Sequence, residues 1–137
     1  MRGQASLELL ITVGIVIAFT IPVLFLLLSV TSVGYEDTTK AQAEASSRTL
    51  ADTMNTVYAQ GDGAKRLILI NVPATTERLS AEEYEVIVQI KTSGGKFEAV
   101  HPTIAKIEGY QYIEGRTGLI ILIVENDGGE VKFYEPL

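Results

Sequence analysis

The side chains with the clearest chemical constraint lie near the start of the chain. Gln4, Ser6 and Glu8 stand directly ahead of residues 9–34, among which there is no charged residue. A carboxylate in apolar surroundings is costly unless it is paired. Glu8 therefore either stays at the interface of a bilayer or needs a partner from a neighbouring chain.

Candidates for catalysis are few. His101 is the only histidine and stands beside Pro102, where we expect a turn, so a catalytic triad would depend on a turn residue. The chain has no cysteine, which excludes disulfides and thiolate metal sites. No phosphate-binding glycine loop and no metal-ligand spacing occurs. We predict no enzymatic activity, no metal site and no cofactor.

Two polar clusters have more than one interpretation. Residues 125–130 carry oxygen ligands spaced like a fragment of a calcium loop, but the pair Gly128-Gly129 is typical of a hairpin turn. We predict a turn there. Six tyrosines, among them Tyr110 and Tyr112, either form an adhesive or subunit-contact surface or fill half-buried positions of a sheet.

The uncharged run of residues 9–34 is long enough to cross a bilayer as a helix, at about 1.5 Å per residue against a core of about 30 Å. A secretory signal peptide would have a shorter apolar core followed by a small-residue cleavage site. No such site follows, so we expect the run to stay in the mature protein and any cut to fall between Gly3 and Gln4. Arg2 precedes the run and Glu36 and Asp37 follow it, which places the amino end in the cytoplasm and the rest outside.

Pro22 lies near the middle of the apolar run and predicts a helix kink, because proline removes one helical hydrogen bond. The hydroxyls of Thr20 and Ser29 are near enough in sequence to donate a hydrogen bond to the carbonyl that loses its helical donor at the proline. The kink is either a tolerated feature of a membrane helix or a point where the helix loosens on packing into a filament.

Residues 35–60 continue the helix in amphipathic form. One narrow apolar face and one face of alternating charge recur at helical spacing. The first comprises Ala43, Ser47, Leu50, Met54 and Val57, and the second Lys40, Glu44, Arg48 and Asp52. Gly61 and Gly63 end the helix.

Residues 61–137 predict a β domain. Turn-forming glycines, prolines and asparagines separate short β-branched runs. The predicted strands are residues 66–72, 84–91, 96–101, 106–112, 119–125 and Glu130–Tyr134. The most apolar, 119–125, is expected to be central and buried on both faces. The predicted fold class is α+β, a long N-terminal hydrophobic helix packed on a small C-terminal antiparallel β domain.

The net charge is −6, and no cluster of Lys and Arg occurs. Nucleic acid is therefore an unsuitable partner.

The first 35 residues resemble archaeal type IV pilin-like proteins with a class III signal peptide. Their pattern, Gln-x-Ser-x-Glu-x-x-x-Leu after a short basic leader, is matched by Gln4, Ser6 and Glu8, with Gly3 before the cut. The final Leu position is Thr12 here. The resemblance implies a leader of residues 1–3, a helix of residues 4–60 (4–34 hydrophobic, 35–60 amphipathic) and an outer domain of residues 61–137.

The resemblance also implies a function, a pilin of an adhesion-type surface filament that polymerises with itself through its N-terminal helices. The implied partners are a prepilin-type peptidase, an assembly ATPase with its membrane platform, and the cytoplasmic membrane before assembly. Glu8 would pair with the new α-amino group of Gln4 in a neighbouring subunit and set the axial register. The alternative is an anchored accessory or minor pilin, or a surface binding protein that does not form the bulk of a filament.

Overall fold

The structure, a computed structural model, describes residues 2–136. Helix α1 spans Arg2–Gln60, as the apolar and amphipathic patterns predict. It ends where Gly61 takes a positive φ of 101° and donates its N–H to the carbonyl of Tyr58 at 3.2 Å. The chain divides into two compact units, Met1–Glu36 and Asp37–Leu137, here called the N-terminal and C-terminal units.

The N-terminal unit consists of α1 residues whose side chains, from 2 to 35, are all exposed within the chain. In length and composition this helix is suited to crossing a membrane. Membrane association is consistent with this apolar surface, because a helix that is apolar all round must be buried somewhere.

The C-terminal unit adds two four-stranded sheets to the last part of α1. The strands are β1 (Lys65–Val72), β2 (Thr76–Glu82), β3 (Glu85–Thr92), β4 (Gly95–Pro102), β5 (Lys106–Ile107), β6 (Tyr110–Glu114), β7 (Gly118–Asp127) and β8 (Glu130–Tyr134). Sheet 1 has the order β1-β7-β8-β5 and sheet 2 the order β4-β3-β2-β6. Their pairs are antiparallel except for the parallel pair β5–β8. The predicted α+β class with a long hydrophobic helix is confirmed.

The core forms between the inner faces of the two sheets and the amphipathic part of α1. All five residues of the predicted apolar face are buried: Ala43, Ser47, Leu50, Met54 and Val57. On one side the Ser46 hydroxyl donates to the carbonyl of Asn71 on β1 at 2.7 Å. On the other, the Lys40 ammonium lies 5.3 Å from the ring centre of Phe97 on β4. The helix is thus held against an edge strand of each sheet.

The β2 strand was not predicted. It joins β3 through Glu83 and Tyr84, a turn without glycine, proline or asparagine, so the sequence carries no turn signal. Glu83 adopts a positive φ of 53° all the same. Its carbonyl accepts a hydrogen bond from the N–H of Ile107 at 2.7 Å, which helps to hold this conformation.

The predicted strand of residues 106–112 is wrong as a single element. Gly109, with a positive φ of 61°, separates β5 from β6, and the two strands belong to different sheets. The glycine permits a left-handed turn that breaks the extended run.

The prediction for β7 is half confirmed. The strand is central in sheet 1, between β1 and β8. The described residues cover only one of its faces, since Leu119 on the other face is 74% exposed.

Candidate functional site

The predicted motif residues lie on the first turns of α1. Gly3, Gln4, Ser6 and Glu8 are helical and exposed. The Ser6 hydroxyl donates to the carbonyl of Arg2 at 3.1 Å, and the Thr12 hydroxyl donates to the carbonyl of Glu8 at 2.9 Å. Both hydroxyl protons are used within the helix, so neither serves the carboxylate of Glu8 at the same time.

The Glu8 carboxylate has no hydrogen-bond donor and no cation against it among residues 2–136. Gln4 precedes it by four residues and therefore lies on the same face of the helix, one turn away. Whatever compensates this carboxylate in apolar surroundings must come from outside the described part of the chain.

The apolar surface that follows Glu8 is continuous around α1. Its exposed aliphatic and aromatic side chains run from Leu9 to Val33, with Phe19 and Leu10 among the most exposed. A Cβ added at Gly14 would meet nothing within 4 Å, so no other described segment packs against the helix there. Such a surface is suited to lipid or to other helices.

Helix α1 continues without a break through Pro22. The proline leaves the carbonyl of Ala18 without its helical donor. The hydroxyls expected to compensate it bond elsewhere, that of Thr20 to Val16 at 2.7 Å and that of Ser29 to Phe25 at 2.9 Å. The predicted kink stays a prediction, and the predicted role of these two hydroxyls is wrong.

His101 lies at the end of β4 rather than in a turn. Its Nδ1 is 3.1 Å from the carbonyl of Pro102, and the ring is half-buried. No carboxylate or hydroxyl partner for it is found among residues 2–136. His101 is therefore a residue near the end of an edge strand, and the described residues give it no partner for acid–base chemistry.

The calcium-like run of residues 125–130 forms the β7–β8 hairpin, as predicted. Gly128 and Gly129 have positive φ values of 65° and 91°, which a two-residue turn of this kind requires. Its carboxylates are paired with cations. Glu125 lies 3.6 Å from the ammonium of Lys65, and Glu130 lies 3.6 Å from that of Lys106.

Asn126, in the same run, has a structural role that the sequence did not reveal. Its side chain is 2% exposed and its amide donates to the carbonyls of Val57 and Tyr58, each at 3.4 Å. Its side-chain oxygen accepts the N–H of Gly129 at 2.9 Å. One amide thus caps the end of α1 and holds the hairpin turn. No local motif predicts a contact across 68 residues.

Tyr110 and Tyr112 stand together on the outer face of sheet 2, with ring centres 5.5 Å apart. Arg78 of β2 lies over Tyr112 at 5.4 Å, donates to the Tyr110 hydroxyl at 3.0 Å, and pairs with Glu114. The bond to Glu114, followed by that to Tyr110, raises the pKa of Arg78 above its usual value. This exposed cluster could not be predicted from the sequence, because Arg78 lies on β2, a strand that the sequence pattern does not indicate.

In comparisons with known proteins, no family model, no curated protein and no solved structure matches this chain.

Proposed function

We propose that the chain is a structural subunit of a type IV pilus-like surface filament that serves adhesion. The observation that carries the proposal is the contrast between the two units. The C-terminal unit encloses a hydrophobic core, whereas residues 2–35 expose every side chain. A single apolar helix of this kind suits both a membrane-held precursor and the centre of a helical polymer, because lipid or neighbouring helices bury it equally well.

Glu8 supports the proposal through its chemistry. A prepilin-type peptidase that removes residues 1–3 creates an α-amino group on Gln4, one helical turn from the Glu8 carboxylate. In a bundle that excludes water, the amine of one subunit pairs with the carboxylate of the next and sets their register. The hydroxyls of Ser6 and Thr12 already donate within their own helix, so the amine is the better partner.

The proposed pathway assigns a separate place to each of the two units. The precursor lies in the cytoplasmic membrane with its amino end inside, and an assembly ATPase with its membrane platform moves the processed helix into the filament. The C-terminal unit then forms the outer surface of the filament at the cell surface. No cofactor or nucleic acid enters this scheme.

The exposed cluster of Arg78, Tyr110 and Tyr112 favours a second candidate, an anchored accessory or minor pilin or a surface binding protein. Exposed tyrosines beside an arginine are common at binding surfaces. This protein would remain in membranes and contribute little to the bulk of a filament.

The mass of the amino-terminal peptide from sheared surface filaments tests both candidates. A peptide that begins at Gln4 and is abundant supports the filament subunit, and one lighter by ammonia indicates that Gln4 has cyclised. A peptide that retains residues 1–3 and occurs only in membranes contradicts the proposal and leaves the anchored protein.

Gly3→Val is the matched processing variant. A Cβ at Gly3 meets nothing within 4 Å, so the helix accepts the side chain. We expect this variant to insert in the membrane, to keep residues 1–3 and to be missing from sheared filaments.

A further inference from the structure

The outer faces of the two sheets differ in character. In sheet 2 the outer face is largely polar, with cross-strand rows such as Glu114, Arg78, Gln89 and Glu98. This alternation of apolar inner and polar outer positions is usual for an antiparallel sheet with one solvated face. Sheet 1 departs from that pattern.

The outer face of sheet 1 carries a continuous apolar surface, here called the β1–β7 patch. Its rows follow from the strand register, in which Leu67 pairs with Ile123, Leu69 with Ile121, and Ile123 in turn with Tyr134. The patch comprises Leu67, Leu69, Leu119, Ile121, Ile123 and Tyr134.

The sequences of β1 and β7 are those of strands buried on both faces. Both read as near-continuous aliphatic runs, KRLILINV and GLIILIVEND. Among the described residues of the C-terminal unit only the inner face is covered, where Ile70 and Leu122 are buried, while Leu69 on the outer face remains 62% exposed. The composition of these strands is therefore explained only if something also covers the outer face.

The size of the patch limits what that partner is. Four well-exposed aliphatic side chains and their neighbours offer a few hundred Å², whereas a stable interface needs about 800 Å² per partner. A protein that diffuses freely would gain too little from this surface alone. A partner that is already held nearby needs a smaller interface area, because tethering raises its effective concentration to about millimolar.

A second copy of this chain meets that condition. Copies whose apolar helices share one membrane or one bundle bring their C-terminal units close together. The rim of the patch also suits self-association, since Lys65, Glu125 and Lys132 place charges of both signs along one end. Because Glu125 pairs with both lysines within one chain, this end of the patch presents no strong field of one sign that would repel a second copy.

We propose that the β1–β7 patch is the surface on which the C-terminal unit of a second copy packs in the assembled state. This rests on the proposed function for the tether that concentrates the copies. The contact adds to the association of the helices and leaves the polar face of sheet 2, with its tyrosine cluster, exposed.

Single-cysteine variants of the full chain test the contact, because the natural sequence has no cysteine. Leu69→Cys places a thiol in the patch, and Val100→Cys is the matched control on the outer face of sheet 2, where Val100 is 48% exposed. The rate of reaction with a soluble maleimide is measured in detergent-dispersed protein, in lipid vesicles at low and high protein density, and in filaments. We expect the Leu69→Cys rate to fall at least tenfold in filaments and crowded vesicles, while Val100→Cys reacts equally in all states.

Equal reactivity of Leu69→Cys in dispersed protein and in filaments overturns the proposed contact and leaves the filament function intact. Protection that is already complete in sparse vesicles identifies the lipid surface as the occupant and also overturns it. If no filaments form, the proposed filament function is contradicted, and the proposed contact is then judged from the vesicles alone. Protection that rises with density in vesicles then still supports the contact between copies, and protection independent of density overturns it.

Discussion

Asn126 joins three parts of the C-terminal unit through one side chain. It is buried and bonds to two carbonyls at the end of α1 and to the N–H of Gly129 in the β7–β8 turn. Asn126→Ala removes all three of these hydrogen bonds, of which the one to the Val57 carbonyl is buried. We expect a loss of about 1–3 kcal/mol in the free energy of unfolding, measured by tyrosine near-ultraviolet circular dichroism on the full chain in detergent.

Asn71→Ala is the matched control for this loss, since the Asn71 side chain is exposed on β1. We expect it to change stability by less than about 0.5 kcal/mol. Equal effects of the two variants would contradict the assigned role of Asn126.

Lys132 carries the clearest titration effect near the patch. Its ammonium donates to Asp127 at 3.4 Å, and this bond, aided by the charges of Asp127, Glu125 and Glu108, raises its pKa. Because the folded pKa is the higher one, the stabilisation is complete below the unfolded value of about 10.4. It is lost as the pH rises through the folded pKa.

Asp127→Asn removes the main cause of this shift. We expect the pKa of Lys132 to fall in this variant, as measured by NMR titration of its side-chain nitrogen and adjacent carbon. A pKa equal to that of the natural chain would show that another group holds the ammonium.

At the scale of elements, the β2–β3 turn is the strained connection. Glu83 has a positive φ of 53°, a conformation that costs an ordinary residue about 1–2 kcal/mol and that asparagine tolerates better. We expect Glu83→Asn to raise the free energy of unfolding by about 0.5–1 kcal/mol in the same unfolding assay. Glu83→Val, with a β-branched side chain at that position, should lower it by at least about 1 kcal/mol.

The two substitutions must act in opposite directions if backbone strain is the cause. Both remove the same exposed charge, so a shared direction of change would point to electrostatics instead.

The elements that the sequence predicted are those with local signals. The helix end at Gly61, the face around Leu50 and the hairpin at Gly128 each depend on residues close together in the chain. The strand β2 and the capping role of Asn126 depend instead on residues far apart in the chain or on positions without a local signal. Glu83 forms a turn without any of the usual turn residues, and Asn126 meets carbonyls 68 and 69 residues away. Tertiary contacts determine both, and a pattern along the chain does not contain them.

The β7 strand shows a different limit of sequence-based prediction. Its uninterrupted aliphatic run indicates burial on both faces, yet residues 2–136 cover only one of them. Burial that depends on another chain has the same sequence pattern as burial within a domain.

At the scale of the whole molecule, residues 2–136 leave two apolar surfaces uncovered, the helix of the N-terminal unit and the β1–β7 patch. Gln4, Ser6 and Glu8 at the start of α1 form a short linear pattern in the sequence, and their role as a motif stays a prediction. The partner expected for Glu8, the α-amino group of Gln4 in a neighbouring subunit, also stays a prediction, because it would belong to another chain.

Glu8→Gln tests whether that carboxylate sets the register of assembly. The amide is nearly the same size and keeps hydrogen bonding, but it cannot form an ion pair with an α-amino group. We expect membrane insertion and removal of residues 1–3 to continue, while the yield of sheared filaments falls at least tenfold relative to the natural chain. The comparison is quantitative mass spectrometry of the membrane and sheared fractions.

Glu36→Gln is the matched control, because it makes the same change at the other end of the apolar run. We expect it to give a normal filament yield, since of these two glutamates only Glu8 lies one helical turn from Gln4. Filaments of normal yield from Glu8→Gln, with an uncyclised Gln4, would show that apolar packing alone sets the register. The carboxylate would then be a residue of the membrane interface, where solvation rather than pairing offsets the cost of its charge.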